Sequence, residues 1–176
     1  MPDALAPALE RWHDFYTLSG SAAAALLGLL FVSVSLHLDA LTGDGQALAN
    51  DTFLHFLAAL LLALICIMPD PTPLELGAGL LLVGLLGCAR LRRHLRFRVN
   101  FPHPWRRDVL PALAYVLLVG LGALFVASQS PLLSGLPAAE VSLLLGGLTA
   151  VTFMLLIQAA LSAWEMLLYL GAGHGQ

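Results

Sequence analysis

Arg90-Leu91-Arg92-Arg93-His94-Leu95-Arg96-Phe97-Arg98-Val99-Asn100-Phe101-Pro102-His103-Pro104-Trp105-Arg106-Arg107 holds seven of the chain's eight basic residues, and no lysine occurs anywhere. An arginine at the centre of a bilayer costs about 2.5–3.5 kcal/mol on insertion scales. Arg90, Arg92, Arg93, Arg96, Arg98, Arg106 and Arg107 together are therefore excluded from hydrocarbon. Basic residues gather on the cytoplasmic side of membrane proteins, so this stretch reads as a cytoplasmic loop over residues 90–108 and orients the segments around it.

Those segments are almost uncharged. Of the 176 residues, 59% are hydrophobic and 11% charged, with a mean hydropathy of +0.87. A soluble domain carries roughly a quarter charged residues, and several apolar runs here approach the ~18 needed to cross a bilayer as a helix. The fold class is all-α: a polytopic membrane helical bundle forming a single membrane domain over residues 1–176. With a net charge of −3 and the basic stretch beside a membrane, the expected partner is the lipid bilayer, not nucleic acid. Arginine without lysine, with abundant Ala, Gly and Leu, points to a GC-rich bacterial genome. No basic n-region followed by an apolar core opens the chain, so no cleavable signal peptide is expected.

Hydropathy places five spans, at about residues 16–38, 52–68, 74–89, 109–128 and 138–170. Spans two and three are short, but Pro69-Asp70-Pro71-Thr72-Pro73 between them tolerates no continuous helix. Thr72, Pro73 and Glu75 read as an N-cap, a first-turn proline and a capping-box carboxylate. The pair is either a tight spanning hairpin or a re-entrant one. With residues 90–108 inside, counting spans puts the N-terminus outside and the Gly-rich tail from Gly171 in the cytoplasm under either reading. Residues 1–15 read as a short interfacial helix feeding span one, because Leu5, Leu9, Trp12 and Tyr16 recur at helical steps. Trp12 and Tyr16 suit the headgroup belt.

Two kinds of stripe stand out. Gly20, Ala24 and Gly28 run along span one towards Ser35 and Asp39. Gly77, Gly84 and Gly87 lie on span three, and Gly146 with Ala150 on span five. Small residues four apart let helices approach closely in lipid. Such faces serve packing within one bundle or contact with a second copy. The other stripe is polar: Gln158, Ser162, Glu165 and Tyr169 on span five. The topology brings His37 from span one and His55 from span two to the same inner-leaflet depth. His37, His55, Gln158, Ser162 and Glu165 thus form a candidate polar pocket, proton- or cation-responsive because imidazole titrates near neutral pH. The plainer reading is that these groups cap helix ends, reach the interface or satisfy one another. Asp51 suits the first turn of its helix, where negative charge is favoured, and His94 and His103 suit the headgroup interface.

A metal site would need a tighter ligand spacing, such as HExxH, than these residues offer, so no metal and no cofactor is expected. Cys66 and Cys88 fall at opposite membrane depths, beyond the reach of a disulfide. There is no lysine for a Ser–Lys dyad, no GxSxG, no phosphate-binding loop and no Gly-rich dinucleotide turn. A non-enzymatic protein is expected.

Trp12-His13-Asp14-Phe15, followed by Gly20-Ser21-Ala22-Ala23-Ala24-Ala25-Leu26-Leu27-Gly28-Leu29-Leu30-Phe31-Val32, resembles the start of a family of uncharacterised small bacterial integral membrane proteins. In that family a Trp-His-Asp-Phe entry leads into an Ala/Gly-rich first span. Some of its members are labelled as modulators of a membrane AAA protease. The resemblance is confined to residues 12–32. It implies a bacterial inner-membrane protein and supplies no catalytic residues. Two functions are expected in turn: helix–helix association with a second copy or a larger membrane protein, or a small pH-sensitive channel or transporter built on the polar pocket.

Overall fold

The computed structural model describes residues 2–37, 43–97, 105–128 and 138–173. They form five α-helices: α1 (Pro2–Leu36), α2 (Asp44–Ile67), α3 (Pro73–Phe97), α4 (Trp105–Ala127) and α5 (Ala138–Gly173). All five contain stretches long and apolar enough to cross a membrane, α2 over 23 residues and α3 over 21. At 1.5 Å per residue such stretches match a hydrocarbon core of about 30 Å.

The turns follow their sequence. Gly43 adopts φ +54, a left-handed conformation that glycine enters without steric cost, and its carbonyl accepts the Ala47 N–H at 3.2 Å. At the other end of α2, Met68 turns extended, with φ −54 and ψ 131, as the clash with a following proline requires. The expected capping box opens α3. Thr72 N and Thr72 Oγ1 donate to Glu75 Oε2 at 2.9 and 2.8 Å, and Glu75 N donates to Thr72 Oγ1 at 3.2 Å.

Three boundaries differ from the hydropathy reading. The helix of residues 2–15 has no break before span one: α1 runs continuously through Pro7 to Leu36. The stripe assigned to the interface instead packs inward, with Leu5, Leu9 and Tyr16 1%, 7% and 0% exposed. The described parts of the segment 90–108 are helical and not loop: α3 continues to Phe97 and α4 begins at Trp105, and residues 98–104 between them lie outside the described residues. Arginine stops membrane insertion but is a good helix former, so the helices outlast the apolar spans. Finally, α2 starts at Asp44 rather than near Thr52, which places Asp51 two turns inside the helix.

Helices α2 and α5 form the inner pair, flanked by α1 on one side and the α3–α4 hairpin on the other. Helix α5 buries Val141, Leu145, Leu148, Thr152, Leu155, Ala159, Ser162 and Met166, a run with the 3.5-residue period of a left-handed coiled seam. Ala59, Leu62 and Ala63 of α2 are fully buried in the same core. Two polar side chains join it: Tyr16 Oη lies 3.3 Å from Thr149 Oγ1. Thr149 gives its own proton to the Leu145 carbonyl at 3.0 Å, so Tyr16 is the donor between α1 and α5. The outer faces carry exposed Leu18, Leu29, Phe31, Leu143 and Trp164. Such a continuous apolar exterior fits lipid, not water.

Candidate functional site

Four helices line one cavity, with Leu54 of α2 and Leu91 of α3 beside four residue pairs. Asp51 and His55 lie four apart on α2, Gly87 and Arg90 three apart on α3, Pro111 and Tyr115 four apart on α4, and Gln158 and Ser162 four apart on α5. Residues at these spacings share one helix face, so each pair looks into the same space. The cavity measures about 40 Å³, room for about three water molecules at the ~10–15 Å³ each requires on this measure.

Its centre is an ion pair. Arg90 Nη2 donates to Asp51 Oδ1 at 3.0 Å, and the two side chains keep 34% and 21% of their exposure. One turn further along α2, the His55 ring stacks on Tyr115, with centroids 6.2 Å apart and planes 22° apart. The Nδ1 atom of His55 is buried and has no hydrogen-bond partner among the described residues. Gln158 and Ser162 are both 3% exposed. Gly87 admits the stack: a Cβ there would land on the Tyr115 ring. Pro111 lacks an N–H, so the Arg107 carbonyl is without its usual helical donor beside the cavity.

The site therefore gathers a carboxylate, a guanidinium, an imidazole, an amide and a hydroxyl around a partly open space among apolar helices, with room for water. Within membrane-spanning helices ionisable groups are costly, which makes them functional candidates by default.

Of the five pocket residues expected from sequence, three meet here: His55, Gln158 and Ser162. His37 does not line the cavity; its Nδ1 lies 2.9 Å from the Ser33 carbonyl at the end of α1. Glu165 is exposed on α5 and lies outside the lining. Asp51, Arg90 and Tyr115 complete the site without belonging to the expected set. The sequence reading gives Asp51 to a helix start and Arg90 to topology, although the Asp51/His55 spacing is a visible signal. Arg92 and Arg93 are exposed on α3. The side chains of Arg96, Arg106 and Arg107, and the whole of Arg98 and His103, lie outside the described residues, as does the His94 side chain.

The small-residue faces divide. A Cβ at Gly20 would come within 2.8 Å of Ala63 Cβ, and one at Gly84 within 2.8 Å of Val119 Cγ2 and 3.0 Å of Val119 N. Both glycines serve packing inside the bundle. At Gly28 and Gly146 an added Cβ would meet nothing within 4 Å, and Ala24 and Gly28 are both exposed on α1. Gly77 and Gly122 add a further close approach between α3 and α4: a Cβ on either would come within 2.9 Å of the other's carbonyl oxygen. Cys66 is buried, Cys88 is half-buried, and neither forms a disulfide. Among the described residues no three His, Cys, Asp or Glu side chains converge as metal ligands. Comparison with protein-family models, with curated proteins and with solved structures finds no match for this chain.

Proposed function

We propose that this protein is a non-enzymatic bacterial inner-membrane bundle that works by helix–helix association, with a second copy of itself or with a larger membrane protein. The observation that carries this reading is the outward face of α1. Gly20 is consumed by packing on Ala63, whereas Ala24 and Gly28, four apart, face outward with no neighbour against Gly28. Small residues at this spacing admit a second helix at close range. Beside them, Phe31 and Val34 of α1 and Phe53 of α2 line a groove of about 200 Å³, a hole for a partner's side chain. The resemblance of residues 12–32 to small bacterial membrane proteins agrees with this setting. The positive-inside bias supports an orientation with the arginine-rich end in the cytoplasm and the N-terminus outside. Cross-linking in native membranes followed by mass spectrometry is the test. Adducts that run through α1 and vanish in Gly28→Leu are expected, and a protein that remains solitary refutes the reading.

A second reading is favoured by the cavity: a small pH-sensitive channel or transporter whose polar groups are Asp51, His55, Arg90, Gln158 and Ser162. Flux through reconstituted liposomes across a pH range tests it, with pH-dependent conductance lost in Ser162→Ala as the expected result.

A further inference from the structure

We infer that the cavity is a proton-binding site in which His55 takes up a proton from water and draws Asp51 away from Arg90, releasing a latch between α2 and α3. The inference rests on the second reading above and names its titrating centre.

Four observations place the parts. The Asp51–Arg90 bond at 3.0 Å joins α2 to α3. His55 lies one turn from Asp51 on the same face of α2, within the reach of an i,i+4 pair. Its Nδ1 is buried with no hydrogen-bond partner among the described residues, and the cavity beside it has room for water. Stacking on Tyr115 holds the ring in place. A neutral imidazole leaves the Asp51–Arg90 bond undisturbed. An imidazolium adds a positive charge one turn away, which attracts the carboxylate and repels the guanidinium. Both forces act against the same bond, and the interior's low dielectric strengthens them.

The surroundings set no competing charge among the described side chains that line the cavity. On α2 the only facing ionisable group besides His55 is Asp51. Helix α3 presents Arg90, with the Cys88 thiol two residues away outside the lining, α4 the phenol of Tyr115, and α5 only the neutral Gln158 and Ser162. Helix α1 does not line the cavity. The proton balance is simple: one proton enters from water onto His55, no covalent bond other than N–H forms, and Arg90 keeps its charge throughout.

Cys88, half-buried and two residues before Arg90 on α3, is a built-in reporter. The full chain is reconstituted in liposomes and treated with a small charged methanethiosulfonate between about pH 8 and about pH 5, a range that brackets imidazole titration. Labelling of the Cys88 peptide is read by mass spectrometry. Thiol ionisation slows the reaction in acid equally in His55→Gln, so the ratio of native to variant isolates the latch. A ratio near one in base that rises several-fold in acid is expected, as is Asp51→Asn labelling above native in base and equal to native in acid. A ratio that stays flat, or Asp51→Asn labelling no higher than native in base, overturns the proposal. Nitrogen NMR of the native protein needs no variant: His55 and Arg90 side-chain signals should shift with one midpoint, and separate midpoints overturn it. Proton flux in the same liposomes separates the two claims. Acid-dependent flux with a flat labelling ratio refutes the latch and leaves the passage, whereas a rising ratio without flux keeps the latch and refutes the passage.

Discussion

Replacing Gly84 by alanine tests whether α3 and α4 are held backbone to backbone. The added Cβ would lie 2.8 Å from Val119 Cγ2, 3.0 Å from Val119 N and 3.3 Å from the Tyr115 carbonyl oxygen. Ordinary contact between carbon atoms is about 3.5–4.0 Å, so the helices must part by roughly 0.7 Å. Two of the three neighbours are backbone atoms and cannot rotate away. Overpacking of this kind costs about 1–3 kcal/mol, and the better helix propensity of alanine returns at most ~1 kcal/mol. A net loss of up to about 2 kcal/mol is expected. Gly146→Ala is the control, because its Cβ meets nothing within 4 Å; it keeps the propensity gain of about 0.5–1 kcal/mol. The two variants should therefore shift stability in opposite directions. Reversible unfolding in mixed micelles, followed by far-UV circular dichroism, gives the comparison. A Gly84→Ala protein as stable as Gly146→Ala would show that α3 and α4 are not in close contact there.

The other consequences are smaller and sharper in place. Thr72→Ala removes the side-chain cap of α3 and should cost about 1 kcal/mol in the same unfolding assay. Tyr16→Phe deletes the hydrogen bond to Thr149 and should cost about 0.6 kcal/mol, the mean for interhelical bonds in membranes; Thr149 keeps its bond to the Leu145 carbonyl, so no buried donor is stranded. Gly77→Ala and Gly122→Ala should each destabilise, yet the double variant should cost less than their sum, because both push the same two backbones apart.

The five spans are legible in the sequence because hydropathy reports what enters hydrocarbon. Helix ends are not, because hydropathy is silent on helices that continue through headgroups and water. Arg90 to Phe97 and Pro2 to Phe15 both continue in this way, one rich in a strong helix former and the other carrying an apolar stripe that packs inward. The polar cavity is half legible. Depth alone brings His55, Gln158 and Ser162 together, since all three lie near the arginine-rich end. Depth says nothing about which way a helix face turns. Glu165 lies one heptad after Gln158 on α5, yet Gln158 is 3% exposed and Glu165 is exposed: cover over that flank of the helix ends between them. Asp51 escapes the sequence for a related reason. A helix beginning at Thr52 makes Asp51 a cap, whereas one beginning at Asp44 makes it an interior carboxylate that needs a cation.

That cation is the first arginine of the basic stretch, and its position separates two roles that the sequence runs together. Arg92 and Arg93 are exposed on α3, as residues that merely hold a helix end out of hydrocarbon should be. Arg90 is folded inward onto Asp51. Replacing Arg90 by glutamine should therefore leave orientation intact, since six arginines of the stretch remain to favour the cytoplasmic side. It should still destabilise the bundle, because Asp51 keeps its charge and loses its guanidinium. The cost falls below the ~3–5 kcal/mol of a fully buried pair, since both side chains retain some solvent contact. Arg93→Gln should change neither orientation nor stability by a measurable amount. A C-terminal reporter fusion reads orientation and detergent unfolding reads stability in the same pair of variants. If Arg90→Gln unfolded no more readily than Arg93→Gln, the ion pair would be a surface contact and the cavity would lose its anchor.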